Sequence, residues 1–252
     1  MPIFHVEVFV KYKSLLLVLG VAFSGVSQLA SANSADLLIT GKLVPPSCTP
    51  TLSGGAVIDY GDIQVSELGT NAATTLEDRK VSLTVTCLED TALGIRITDA
   101  RSESKPLLIT EIPMPTNPAG SHAVAFSNNQ TMGLGNDVAM GKLGVWWLSM
   151  EFGKLKATNK ANDEVGETGK LLYSINNGVS WGETTTTPLD PHYGGNNVTT
   201  FAIKGKATNT PAVATVHEFP MVVAAALNIK GRLNVKDDTK LDGKGTFTIY
   251  YQ

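Results

Sequence analysis

Cysteine is scarce in this chain: its 252 residues contain Cys48 and Cys87 and no other. Neither has a histidine nearby, which argues against a metal pair. Charge is thin as well, with Asp, Glu, Lys and Arg making up 17% of residues and no basic patch among them. Counterion release could therefore supply little affinity for a nucleic acid. His5, His122, His192 and His217 stand apart in the sequence and read as surface or loop residues, since none shows the i, i+4 spacing of a helical zinc motif. No G-x-S-x-G elbow, P-loop or dinucleotide-binding glycine pattern occurs. The expectation is a protein with no metal, no cofactor, no nucleic-acid partner and no enzymatic activity. Nothing reads as a long amphipathic helix, which leaves strands as the building material.

The first 32 residues read as an export signal: Lys11 and Lys13 precede an apolar run over 15–23, and Ala30-Ser31-Ala32 supplies a small-residue cleavage pattern. That run is shorter than the ~20 residues of a bilayer span, which weighs against an uncleaved anchor, and no later segment could span. The expected mature chain is one domain over 33–252. Removing Lys11, Lys13 and Glu7 from the formal net charge of −3 leaves about −4. Export carries both cysteines into an oxidising compartment, where a Cys48–Cys87 disulfide is expected. The loop it closes, about 40 residues, corresponds to roughly 4 kcal/mol in the chain-entropy model.

Strand patterns cover 37–44, 56–60, 80–87, 93–98, 145–150, 170–175, 199–204, 222–229 and 246–251. Residues 81–87 alternate apolar and hydroxylated side chains, which puts Val81, Leu83, Val85 and Cys87 on one buried face. The run 222–227 fits a short helix or a fully buried strand, and the surrounding strands favour the latter. Trp146 and Trp147 must point to opposite faces of their strand, one into the core and one partly exposed. Gly, Pro, Asn and Thr cluster at 45–46, 53–55, 113–120 and 184–197, the last two long enough to count as functional or mobile loops.

Residues 245–252, Gly-Thr-Phe-Thr-Ile-Tyr-Tyr-Gln, alternate so that Phe247, Ile249 and Tyr251 share one face. Together with the leader and the cysteine pair, this resembles the C-terminal motif of chaperone-usher pilins. The resemblance implies an all-β fold, an immunoglobulin-like or pilin-like β-sandwich with long loop insertions and one disulfide, that lacks its last strand. It implies a periplasmic chaperone and pilus subunits as partners, with Phe247, Ile249 and Tyr251 in contact with the chaperone or donor strand. The implied location is the periplasm, fimbrium or cell surface of a Gram-negative bacterium. Strand addition of this kind takes affinity from main-chain hydrogen bonds and register from alternate side chains. The glycine that pilins usually carry near this motif is replaced by Thr239, with Gly243 and Gly245 the nearest glycines.

The stretch 35–55, with Pro45-Pro46-Ser47-Cys48 at its centre and Asp59-Tyr60-Gly61 following, resembles the opening of GltF-like periplasmic, fimbria-associated proteins. If 36–44 is the first strand of the fold, only Asn33, Ser34 and Ala35 remain ahead of it as a donor segment. Three residues reach at most about 10 Å, short of the ~17–20 Å of a typical strand. The expectation is a terminal, accessory or self-completed subunit that does not donate a strand.

Two further segments carry weaker signals. Ser174 to Trp181 resembles the S-x-D-x-G-x-T-W box of sialidase propellers, with Asn176 at the Asp position, but a single copy fits a hairpin turned at Asn177-Gly178 better. The aromatic and amide-rich stretch with Trp181, Asp190, His192, Tyr193, Asn196 and Asn197 is the candidate ligand loop. Ring faces beside amides and carboxylates suit a sugar, so the alternative function is a carbohydrate-binding or adhesin-like module.

Overall fold

A computed structural model describes residues 37–42, 44, 47–115, 125, 127–185, 188–192, 198–206 and 209–252. The expected leader lies outside these residues, as do Tyr193, Asn196 and Asn197 and most of the 113–120 cluster. The chain divides into two units, Met1–Pro45 and Pro46–Gln252. In the first, residues 37–42 and 44 form no strand, and Leu37, Leu38, Ile39 and Val44 are exposed, Leu37 and Ile39 at 77% each. The expected first strand over 37–44 is therefore corrected, and the shortage of donor residues inferred from it falls with it.

The second unit is all-β. Its strands are β1 (Cys48–Leu52), β2 (Thr74–Thr75), β3 (Arg79–Asp99), β4 (Met132–Gly133), β5 (Gly144–Met150), β6 (Lys156–Thr158), β7 (Gly166–Ser174), β8 (Gly182–Thr184), β9 (Thr200–Gly205), β10 (Val213–Leu227) and β11 (Gly245–Tyr251). They join in the order β4-β5-β10-β3-β9-β7-β8, with β1 and β11 paired to β3 and β2 and β6 paired to β10. No helix among the described residues is long and apolar enough to cross a membrane.

The two strands expected at 80–87 and 93–98 are one strand of 21 residues. β3 pairs with β10 and β1 through its first half, then with β11 and β9 through its second. It thereby belongs to both halves of the sheet, and the main core cluster draws on both, from Leu83, Val85 and Phe219 to Ile95, Ile97, Leu171 and Phe201. Packing of one half against the other makes a sandwich, with the alternating side chains of β3 facing inward as the sequence implied. Around Ile95 and Arg96, β3 has partners on both edges.

β10 resolves the ambiguity at 222–229 as a strand. Both its edges are paired, to β3 on one side and to β6 and β5 on the other. Its apolar run is buried on both faces, Val223 against the main core and Ala224 and Ala226 against a second cluster with Ile112, Val145 and Trp147. Alanines let that second layer sit close. The expected strand at 56–60 is irregular backbone instead, although Ile58 packs on the core.

His217 corrects the expectation of surface histidines: it is fully buried on β10. A register shift between Ala214 and Val216 opens the ladder beside it, and His217 Nε2 lies 3.1 Å from the Thr91 carbonyl and 3.2 Å from that of Ala214. The ring donates to carbonyls at the irregularity and so fills a structural role.

Candidate functional site: an open sheet edge beside an apolar groove

Antiparallel pairing alternates hydrogen-bonded with non-bonded residue pairs, so two bonds fix the phase of a ladder. For β11 they are Gln252 N–H to Ala92 O (3.1 Å) and Ala100 N–H to Lys244 O (2.9 Å). Even-numbered residues of β11 therefore bond β3, and the N–H and C=O groups of Gly245, Phe247, Ile249 and Tyr251 point to the opposite edge. No described strand pairs with that edge. The side chains of Phe247 and Ile249 pack inward on the main core. What these residues offer outward is main chain, whereas the sequence pattern had marked their side-chain face.

β1 presents the contrasting case. Its bonds from Ser53 N–H to Ser82 O (2.9 Å) and from Leu88 N–H to Ser47 O (3.1 Å) turn Cys48, Pro50 and Leu52 outward. Pro50 has no N–H to offer. The Cys48 N–H is taken by the Tyr251 hydroxyl at 3.2 Å. One lip is thus blunted as exposed edges commonly are, and the other is open.

Beside these edges lies a groove of about 440 Å³, lined in large part by apolar side chains that include Leu52, Val81, Trp146, Leu148, Val223 and Phe247. Trp146 is the partly buried partner of fully buried Trp147, as the strand alternation required. Its ring lies against Gly243 and Gly245; a Cβ on Gly245 would stand 2.6 Å from Trp146 Cη2. The position at which pilins carry a glycine is Thr239 here, and the local reason for Gly243 and Gly245 is the indole that crosses them. A polar feature of the wall is Tyr60, whose buried hydroxyl has no hydrogen-bond partner among the described residues. Burial raises its pKa, partly offset by the Arg79 guanidinium 5.4 Å from the ring centroid.

The disulfide joins Cys48 and Cys87, residues directly opposite in the β1–β3 ladder. The described residues of the expected ligand loop, Trp181, Asp190 and His192, do not line the groove. Trp181 covers Gly94 of β3, its Cη2 3.4 Å from where a Cβ would sit. Asp190 accepts from the His192 N–H at 3.1 Å, and its carboxyl is raised above the ordinary range chiefly by burial, against the lowering pull of that bond, His192 and Lys105. Asn177 and Gly178 have φ of 57° and 74°, the left-handed pair expected of the turn. The strands resume pairing only at Tyr173 and Gly182, so the connection is longer than a two-residue hairpin. Among the described residues no group of three or more His, Cys, Asp or Glu side chains could hold a metal ion.

Sequence comparison gives this architecture its relatives. Residues 37–145 match the family described as "Protein of unknown function (DUF1120)". "Uncharacterized protein YhcF" of Escherichia coli strain K12 is 26% identical, over 94% of this chain and 98% of its own length. "Protein GltF" of the same organism is 22% identical, over 91% of this chain and 92% of its own. The comparisons support the GltF-like part of the resemblance and bring no chaperone-usher pilin: the chain is similar to DUF1120 proteins and, over nearly its whole length, to YhcF and GltF.

Proposed function

We propose that this protein is an exported, fimbria-associated subunit of the chaperone-usher kind, which accepts an extended apolar strand along the free edge of β11. The observation that carries the reading is the coincidence of that edge with the groove. Four residues direct their main-chain groups outward, and two of them, Gly245 and Phe247, also line the apolar groove, the arrangement that strand addition uses for affinity and register. A periplasmic chaperone is the first occupant and a strand of a neighbouring subunit the second. Segment 37–44 is a donor of suitable kind, since its described apolar residues, Leu37, Leu38, Ile39 and Val44, are exposed and lie in no strand. At about 3.3 Å per residue its eight positions span about 26 Å, against about 23 Å for the seven of β11. The periplasm or the surface of a Gram-negative cell is where such a subunit works.

The test is hydrogen exchange at the Phe247, Ile249 and Tyr251 amides, read in the free protein and in the complex that co-purifies with it from a periplasmic extract. Fast exchange in the free chain and protection in the complex is the expected result. A complex in which these amides stay fast, or a chain that recovers the same partners when truncated after Gly243, overturns the proposal.

A further inference from the structure

The face of β11 turned away from the groove carries a second arrangement. Since Phe247 and Ile249 point inward, Thr246, Thr248 and Tyr250 point out, opposite Thr98, Arg96 and Gly94 of β3 in register. Arg96 is held there by three contacts. Its Nε donates to Thr200 Oγ1 at 2.8 Å, its Nη2 to Asn177 Oδ1 at 2.8 Å, and its guanidinium lies 4.2 Å from the Tyr250 ring centroid. The contacts are themselves tied down: the Tyr250 hydroxyl donates to Asn177 O at 2.7 Å and Gln252 Nε2 to Gly178 O at 3.2 Å. Arg79 and Arg101 each have a carboxylate within 4 Å, Glu77 and Asp242. Arg96 has no such partner among the described residues, and its Nη1 makes no hydrogen bond there.

We infer that this face, centred on Arg96, binds a carboxylate-bearing sugar. A guanidinium fixed before a ligand arrives loses little freedom on binding, and its unused N–H groups match the two oxygens of a carboxylate. Around it stand the Tyr250 ring, the Trp181 ring over Gly94, and the hydroxyls of Thr98, Thr246 and Thr248, the last two on exposed residues. Rings pack the C–H faces of a pyranose and the hydroxyls serve its own. Trp181 thus keeps the sugar-facing role that its sequence context suggested, with Arg96, Tyr250 and the threonines in place of Asp190 and His192. The site lies on the opposite face of β11 from the groove and does not depend on strand docking.

The test titrates the full chain with methyl β-glucuronide and with methyl β-glucoside, which has the same ring without the carboxylate, followed by the Trp181 indole N–H resonance. Saturable millimolar binding of the glucuronide, at least about tenfold tighter than the glucoside, is expected for a charge-assisted fork. Thr248→Glu supplies a carboxylate directly opposite Arg96 at an exposed position, so it should abolish glucuronide binding while the protein remains folded by thermal melt. Arg96→Lys should keep the charge and lose most of the discrimination. Equal binding of the two sugars, no binding of the glucuronide at tens of millimolar, or undiminished binding by Thr248→Glu overturns the assignment.

Discussion

Replacing both cysteines, Cys48→Ala with Cys87→Ala, tests how the groove's blunt lip is held. The bond spans a sequence separation of 39 residues and links directly opposed positions of β1 and β3. For a loop of that size the chain-entropy model assigns about 4 kcal/mol, nearly three decades in the folding equilibrium. That is a large part of the 5–15 kcal/mol typical of a whole domain. β1 has only five residues and pairs with β3 alone, so little else retains it. Its start is tied to the end of β11 through the Cys48 N–H and Tyr251 hydroxyl, and its end supplies Leu52 to the groove. The assay is urea unfolding of the oxidised protein and the double variant, followed by tryptophan fluorescence. The midpoint should fall by the equivalent of about 4 kcal/mol, and the slope should rise because the uncrosslinked denatured chain exposes more surface. Strand capture at β11 should weaken in the variant under conditions where it is still folded. A loss below about 1 kcal/mol, with unchanged slope, refutes the loop-entropy reasoning.

Other perturbations probe single contacts. Burial, the largest influence, holds the His217 imidazole below its ordinary 6.5, against smaller upward pulls from Thr91, Ala214 and Asp90, and its buried Nδ1 has no hydrogen-bond partner among the described residues. The unfolded chain therefore takes up this proton first: stability is full above pH 6.5 and falls below it by at most about 1.4 kcal/mol per pH unit, a component that His217→Gln should remove from the pH dependence of urea midpoints. Trp147→Ala empties the cluster between β5, β10 and the 106–115 segment, and should lower stability by about 3–5 kcal/mol in the same assay. Gly245→Ala forces a Cβ against the Trp146 ring, so we expect a loss of about 1–3 kcal/mol and a groove that no longer captures a strand; unchanged capture would show that the ring position is immaterial.

What the sequence displayed and what it hid separate along a physical line. Side-chain alternation reports which face of a strand is buried, and it correctly turned Leu83, Val85 and Cys87 inward and split Trp146 from Trp147. It carries no information about whether a segment finds a partner strand, and so 37–44 read as a strand of the fold although its described residues form none. Nor does it mark a strand that crosses between two halves without a break, because the exposed Leu88, Glu89 and Asp90 look like a turn. β1 was missed for a related reason, since Cys-Thr-Pro-Thr-Leu has too few apolar residues and a proline, features that suit a blunted edge.

The same distinction applies to the candidate site. Phe247, Ile249 and Tyr251 were legible as a set because they share a parity, and parity also governs which residues turn their main-chain groups away from β3. Their side chains and their N–H groups nevertheless face different directions, Phe247 and Ile249 packing into the core while the amides meet the free edge. A conservative side-chain change at these positions would therefore test packing and leave the edge in place. Only a measurement on the amides themselves separates the proposed strand-accepting role of the edge from packing in the core.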